Sequence, residues 1–317
     1  MATLNSDSLD SFPSNLGSLL AHKPVFDLVS WGIKAFYLLS AFAILLVRFT
    51  PDLRRRFLDY GARAQNASET SESPKGDRRR TIERSSAASQ LLDSLAKLTV
   101  PHTWFTHFYI LSVLCSSLQF HHQIRIHMSQ RARVASFCLL LQSSRRLVEC
   151  LTYNRKSKSR MWIGHYFIGI AFYLFTNITL LLDGVGWADW NHPDIGERFN
   201  SMGATEWAFA AFISQAFISQ AKSHYYLFTL EKYTLPDELG FKHWIAPHYM
   251  AECTFYGSLS VIAAPPDRIL NWNLFCAFIF VVVNLSVTAE GTKRWMLSKF
   301  PDRRHEIQSR RNVYILR

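Results

Sequence analysis

Residues 133–152 read RVASFCLLLQSSRRLVECLT, an apolar stretch with Gln142, Arg145, Arg146 and Glu149 from its middle onward. As a helix, twenty residues rise about 30 Å, the thickness of a bilayer's hydrocarbon core. Counted from Gln142, the other polar residues follow at 3, 4 and 7 positions, so a helix carries all four on one face. Charges inside a span are costly and are paired or functional. An Arg145–Glu149 or Arg146–Glu149 pair would lock helices together, whereas an unpaired arginine would face a phosphate or another anionic group entering from the cytosol. Either way, this helix must pack against others.

Working outward, six further apolar stretches are expected to be helical spans, at about 28–48, 104–120, 161–183, 205–228, 247–264 and 270–289. The chain has 317 residues, 49% of them hydrophobic, and a mean hydropathy of +0.01. That ordinary average conceals long apolar runs alternating with short basic segments. The fold class read from this pattern is all-α, a polytopic integral membrane protein with about seven transmembrane helices. Residues 1–25 are polar and no cleavable signal peptide is expected, which makes the first apolar stretch an uncleaved anchor. The segment 62–90, rich in Ser, Arg and Glu, reads as a flexible linker.

Loop charge orients the spans. Basic residues crowd the loop 49–100 (Arg54, Arg55, Arg56, Arg78, Arg79, Arg80, Arg84), the loop Arg155–Arg160 and the tail from Lys293. The loop 184–204 instead holds Asp189, Asp194 and Glu197 against Arg198. Seven spans put every basic segment on the cytosolic side, with the N-terminus lumenal and the C-terminus cytosolic. The net charge of +11 then follows from loops beside anionic headgroups. No zinc spacing or RNA-recognition motif accompanies it, so no nucleic-acid partner is expected. Cys115, Cys138, Cys150, Cys253 and Cys276 lie in apolar segments without a CxxC pair and read as packing residues.

Three further polar groups interrupt the apolar stretches. Gln220 and His224 lie four apart in the fifth. His248, Glu252 and Tyr256 form a stripe at intervals of four in the sixth, beginning beside Pro247, where free backbone N–H groups favour an anion. Thr106-His107-Phe108-Tyr109 offers two proton-transfer groups in the second. His248 and Glu252 lack a third ligand at matching spacing, so no metal is expected. GxGxxG, the P-loop and HExxH are absent, which argues against a soluble-type dinucleotide fold, an ATPase and a zincin protease.

The stretches WFTHFYILSVL (104–114), LLLQSSRRLVECL (139–151), KYTLPDELGFKHWIAPHYMAEC (232–253) and VNLSVTAEGTKRWMLSKF (283–300) together resemble the steroid 5α-reductase family, in its polyprenol reductase branch. The resemblance implies seven helices enclosing NADPH and a lipid in the endoplasmic-reticulum membrane. It implies reduction of the α-isoprene double bond of a long-chain polyisoprenoid, polyprenol or polyprenal, in dolichol synthesis for protein N-glycosylation. An aldehyde conjugated to the double bond polarises it for hydride addition and an allylic alcohol does not, which favours polyprenal. The resemblance further assigns Arg145, Gln220, His224, Tyr233, His248, Thr288 and Thr292 to the cofactor. It places Gln142 and Glu149 with the substrate, and His107, Tyr109 and Glu252 in the chemistry. Gln142 stands where the steroid branch has its proton-donating tyrosine, so that role passes to His107 or Tyr109. Departures from the family are Glu231 in place of a basic residue, Met296 after Trp295 in place of an aromatic hydroxyl, and the ending Asn312-Val313-Tyr314-Ile315-Leu316-Arg317.

The implied organisation is an N-terminal lumenal segment (1–27), a first helix with a basic cytosolic loop (28–100), a catalytic membrane domain (101–300) and a cytosolic basic tail (301–317). Competing readings are a reductase of another lipid enone, a membrane methyltransferase using S-adenosylmethionine, and a non-catalytic relative. The sequence leaves the oligomeric state open.

Overall fold

The computed structural model describes residues 23–58, 87–123, 129–153, 159–185, 202–265 and 268–313. The 62–90 linker up to residue 86, the acidic loop from 186 to 201 and the basic residues 154–158 lie outside the described residues, as do the two chain ends. Seven long helices occupy the seven apolar stretches. They are α1 (Lys23–Phe49), α4 (Phe105–Gln123), α5 (Gln130–Thr152), α6 (Ile163–Val185), α7 (Ala204–Thr229), α8 (Pro247–Ile262) and α9 (Trp272–Lys299). Short helices α2 (Pro51–Phe57) and α3 (Ala87–Lys97) follow α1, and α10 (Arg304–Ser309) follows α9. The described strands are β1 (Thr99–Pro101) and β2 (Arg160–Trp162), paired antiparallel with Val100 opposite Met161.

Three of the helices, α1, α6 over Ile163–Leu182 and α9, are long and apolar enough to cross a membrane. The other four long helices are shorter or more polar. α5 alone carries Arg131, Arg133, Arg145, Arg146 and Glu149, and α8 has 16 residues. Helix starts follow local chemistry. The Ser129 side chain accepts from the Ala132 amide (3.2 Å), Asn271 accepts from Leu274 (3.0 Å), and Pro247 opens α8 without a missing donor.

α1 lies along α9, α7 along α8, and α4 against both α5 and α6. Buried polar pairs fix these contacts. Tyr37 on α1 lies 3.0 Å from the Thr176 hydroxyl on α6, and Arg48 pairs with Glu290 on α9 at 2.5 Å. Between α4, α5 and α6, the Ser112 and Ser143 hydroxyls meet at 2.6 Å and Ser116 donates to Asn177 at 2.7 Å. Small hydroxyls of this kind let helices approach closely while satisfying one another away from water. Gly169 on α6 has the same use, because a Cβ there would stand 2.5 Å from the Phe108 ring on α4.

The basic tail is not a free segment over its described part. Arg311 exchanges main-chain hydrogen bonds with the loop before α8: its N–H donates to His243 O (2.8 Å) and its carbonyl accepts from Ile245 N–H (3.0 Å). The fully buried Arg310 guanidinium donates to Pro236 O at 2.7 Å and to Glu306 at 2.5 Å. Lys293 on α9 donates to Arg310 O at 2.8 Å, and Val313 is buried.

Candidate functional site

The helices enclose a cavity of about 770 Å³, in the size range of small-molecule and cofactor sites. One side is aromatic, with Phe108, Phe172, Tyr173 and Phe280 on α4, α6 and α9. The charged and amide side chains of the lining come largely from α5, α7 and α8. The i, i+3, i+4 and i+7 spacing on α5 and the four-residue spacings on α7 and α8 turn three polar stripes toward one another.

Glu149 is the hub of that wall. Its carboxylate accepts from Arg145 on one oxygen and from Arg146 on the other, with the His224 Nδ1 2.7 Å from the second oxygen. Arg146 reaches in three directions. It bonds Glu149, approaches His224 Nδ1 at 2.7 Å, and donates from Nε and Nη2 to the Tyr109 hydroxyl at 3.2 and 3.1 Å. A second set lies beside it: Gln142 donates to Gln220 (2.7 Å) and Glu252 (3.2 Å), Gln220 donates to Glu252, and Arg145 donates to Gln142 (2.9 Å) and Gln220. The geometry joins both readings of the α5 arginines, since the ion pairs exist and they stand in the wall of a cavity.

Of the residues expected at the site, Tyr109, Glu149, Gln220, His224, His248, Glu252 and Thr288 line the cavity. Gln142 and Arg145 stand behind that surface, in the hydrogen-bonded layer, and Arg146 is the arginine that faces the cavity. His107 is exposed on the outer side of α4, with its Nδ1 3.2 Å from the Tyr166 hydroxyl. Tyr233 also lies away from the cavity, its exposed ring between the ammonium groups of Lys232 and Lys299 at 4.8 and 4.9 Å. Its φ of 70° is unusual for a residue with a Cβ. Thr292 lies one turn beyond Thr288 and donates to its carbonyl at 3.0 Å.

The cavity also recruits residues without an assigned part in the sequence reading. Tyr173, Asn284 and Arg294 line it, and so does Tyr256, whose place in the α8 stripe gave the available signal. Whether the cavity suits an anionic dinucleotide can be judged from its donors. Arg294 is exposed at its edge, Asn284 and Thr288 present polar groups on α9, and the buried His248 Nδ1 has no hydrogen-bond partner among the described residues. These groups fit a ligand with phosphate and amide oxygens.

No protein-family model matches the chain. Curated proteins do. A yeast (Saccharomyces cerevisiae) protein named polyprenal reductase is 29% identical over 221 residues, covering 68% of this chain and 74% of its own length. Polyprenal reductase 2 of Oryza sativa subsp. japonica is 26% identical, covering 71% and 82% of the two chains. Polyprenal reductase 1 of Arabidopsis thaliana is 27% identical, covering 68% and 82%. The chain is thus similar, over about two thirds of its length, to proteins named polyprenal reductase in fungi and plants.

Proposed function

We propose that this protein is an NADPH-dependent reductase of the endoplasmic-reticulum membrane that saturates the α-isoprene double bond of a long-chain polyprenal, in dolichol synthesis for protein N-glycosylation. The observation that carries the reading is a cavity lined both by a hydrogen-bonded ionic network and by aromatic rings, in a chain similar to proteins named polyprenal reductase. An aromatic wall suits an isoprenoid, and a polar wall suits a cofactor and an aldehyde oxygen. The seven long helices are read as seven spans, with the basic loops and the C-terminus cytosolic and the N-terminus lumenal.

NADPH, when bound, supplies a hydride for the carbon β to the aldehyde. Arg294, Asn284, Thr288 and His248 are the residues that would hold it. Tyr109 would serve the other end of the conjugated system. Because two N–H groups of Arg146 point at its oxygen, the phenol's acceptor capacity is used, and its own proton is left to donate into the cavity. Tyr109 would thereby polarise the aldehyde oxygen as electrons move from the double bond, with the positive guanidinium compensating the charge that develops. Glu149 and His224 fix Arg146 in that position, and Gln142, Gln220 and Glu252 brace the wall behind it. The aromatic side excludes water from the reacting atoms.

The reading is tested with microsomes containing the protein, NADPH and a long-chain polyprenal. A steroid enone is run in parallel, and mass spectrometry follows the gain of two hydrogens. Saturation of the polyprenal α-unit is expected. Saturation of the steroid alone would replace the substrate, and no product from either, in protein that binds NADPH, would refute the reading.

A further inference from the structure

Helix α3 divides its surface into three strips. Leu91, Leu95 and Leu98, the last just past the helix end, are 61%, 39% and 51% exposed. At the helical pitch they fall within about 60° of arc. Ser89, Leu92, Asp93 and Ala96 make the second strip, which turns toward α2. There Arg56 pairs with Asp93 at 2.6 Å and donates to Ser89 at 3.0 Å. Gln90 and Lys97 are exposed on the third. An apolar strip and a polar strip, both open, beside a docked one describe a helix that meets two media at once.

Where α3 is held says which media these are. Its C-terminal end is tied to the start of α6: the Ile163 amide donates to Leu98 O and the Trp162 indole to Leu95 O, each at 2.9 Å. Its docked strip rests on α2, which follows the end of α1 directly after Thr50. Both α1 and α6 are long and apolar enough to cross a membrane, so α3 sits at the level where two such helices end on the same side. Arg54, Arg55 and Lys97 are at that level too, the cations expected beside headgroups. Leu58 just past α2, with His102 and the exposed Thr103 just past β1, lines the cavity, so the cavity reaches the surface beside α3.

We propose that α3 lies in the plane of the membrane–water interface, with the Leu91–Leu95–Leu98 strip in the acyl boundary of a phospholipid bilayer. So placed, it holds the adjoining cavity rim at the depth where a lipid's polar end resides. The inference needs no assignment of chemistry to the cavity, so it stands or falls apart from the reductase reading.

The test places the photo-crosslinking residue p-benzoylphenylalanine, singly, at 91, 95 or 98 on the apolar strip and at 90 or 97 on the polar strip. The full chain is reconstituted in phosphatidylcholine vesicles and irradiated, and adducts are identified by mass spectrometry. Each variant must first melt within a few degrees of the unmodified protein, and three positions on the strip keep the test decidable if one variant fails. Lipid adducts at least tenfold more abundant from the apolar strip are the expected result. Equal yields from the two strips, or crosslinks from 91, 95 and 98 to protein instead of lipid, would overturn the proposal.

Discussion

Replacing Glu149 by glutamine changes one oxygen to an amide nitrogen and tests how the polar wall is held together. The wild-type carboxylate is buried, accepts from Arg145 and Arg146, and lies 2.7 Å from His224 Nδ1. In Glu149→Gln one side of the new amide presents N–H groups to a guanidinium, so a donor faces a donor and two buried arginines lose their shared countercharge. Removing one partner of a buried ion pair costs about 3–5 kcal/mol. At about 2 °C per kcal/mol for a chain of this size, the midpoint of thermal unfolding falls by about 6–10 °C. The assay is a thermal melt of the detergent-solubilised protein, followed by tryptophan fluorescence. The double substitution Arg145→Met/Glu149→Met removes charge from both sides and should lose less than Glu149→Gln alone. A shift below about 2 °C for Glu149→Gln, or a double variant less stable than the single, would refute the hub role.

Further outcomes follow from other parts of the molecule. Tyr109→Phe is expected to lower kcat for polyprenal about a hundredfold or more while NADPH affinity holds. His107→Phe should match wild type; the reverse pattern in steady-state kinetics would move the proton donor to the outer face of α4. Gly169→Val drives a branched side chain into the Phe108 ring and should cost about 1–3 kcal/mol by overpacking, read as a lower melting midpoint; no change would mean that α4 and α6 are not held as closely as described. Hydrogen bonds from Arg303 and Arg310 hold the Glu306 carboxyl below its usual range, so its contribution is complete above the unfolded value of about 4.3 and is lost as pH falls through the lower folded value. Pepsin cutting within 301–313 should therefore be slower in wild type than in Glu306→Gln near pH 5, and the two rates should converge on acidification; a constant ratio would refute the role of that carboxylate.

The long helices were legible because their apolar stretches are uninterrupted except where polar residues repeat at helical spacing. Polarity limited what the same rule could say about crossing a membrane: α5 reads as a span by length but carries five charged side chains. At the site, periodicity placed Gln142, Arg145, Arg146 and Glu149 on one face. It could not decide which of two adjacent arginines, about 100° apart, faces the cavity. His107 and Tyr109 posed the same difficulty, since a step of two residues in a helix nearly reverses direction. The cavity faces Tyr109 and leaves His107 outside. Asn284 lies one turn before Thr288, and Tyr173 lies three and four residues before Thr176 and Asn177, so periodicity offered both a face, but a face alone did not say that it lines the cavity. The docking of the tail was equally hidden, as the string of basic residues after Lys299 gives no sign that Arg310 loses all contact with solvent.

That docking bears on the order of events during synthesis. The loop from Pro236 to Ile245 sets the start of α8, where His248 enters the cavity wall, and it is fixed by backbone bonds to Arg311 and by the Arg310 side chain. A ribosome that has delivered every long helix through Lys299 has not yet delivered those two residues. Until it does, His243 and Ile245 lack their main-chain partners and nothing caps the Pro236 carbonyl. The bundle can thus gather in the bilayer as the helices arrive, while the wall beside His248 waits for a contact that spans more than sixty residues of chain. Assembly of the cavity is accordingly a late step, governed by a segment whose described residues are not among its lining.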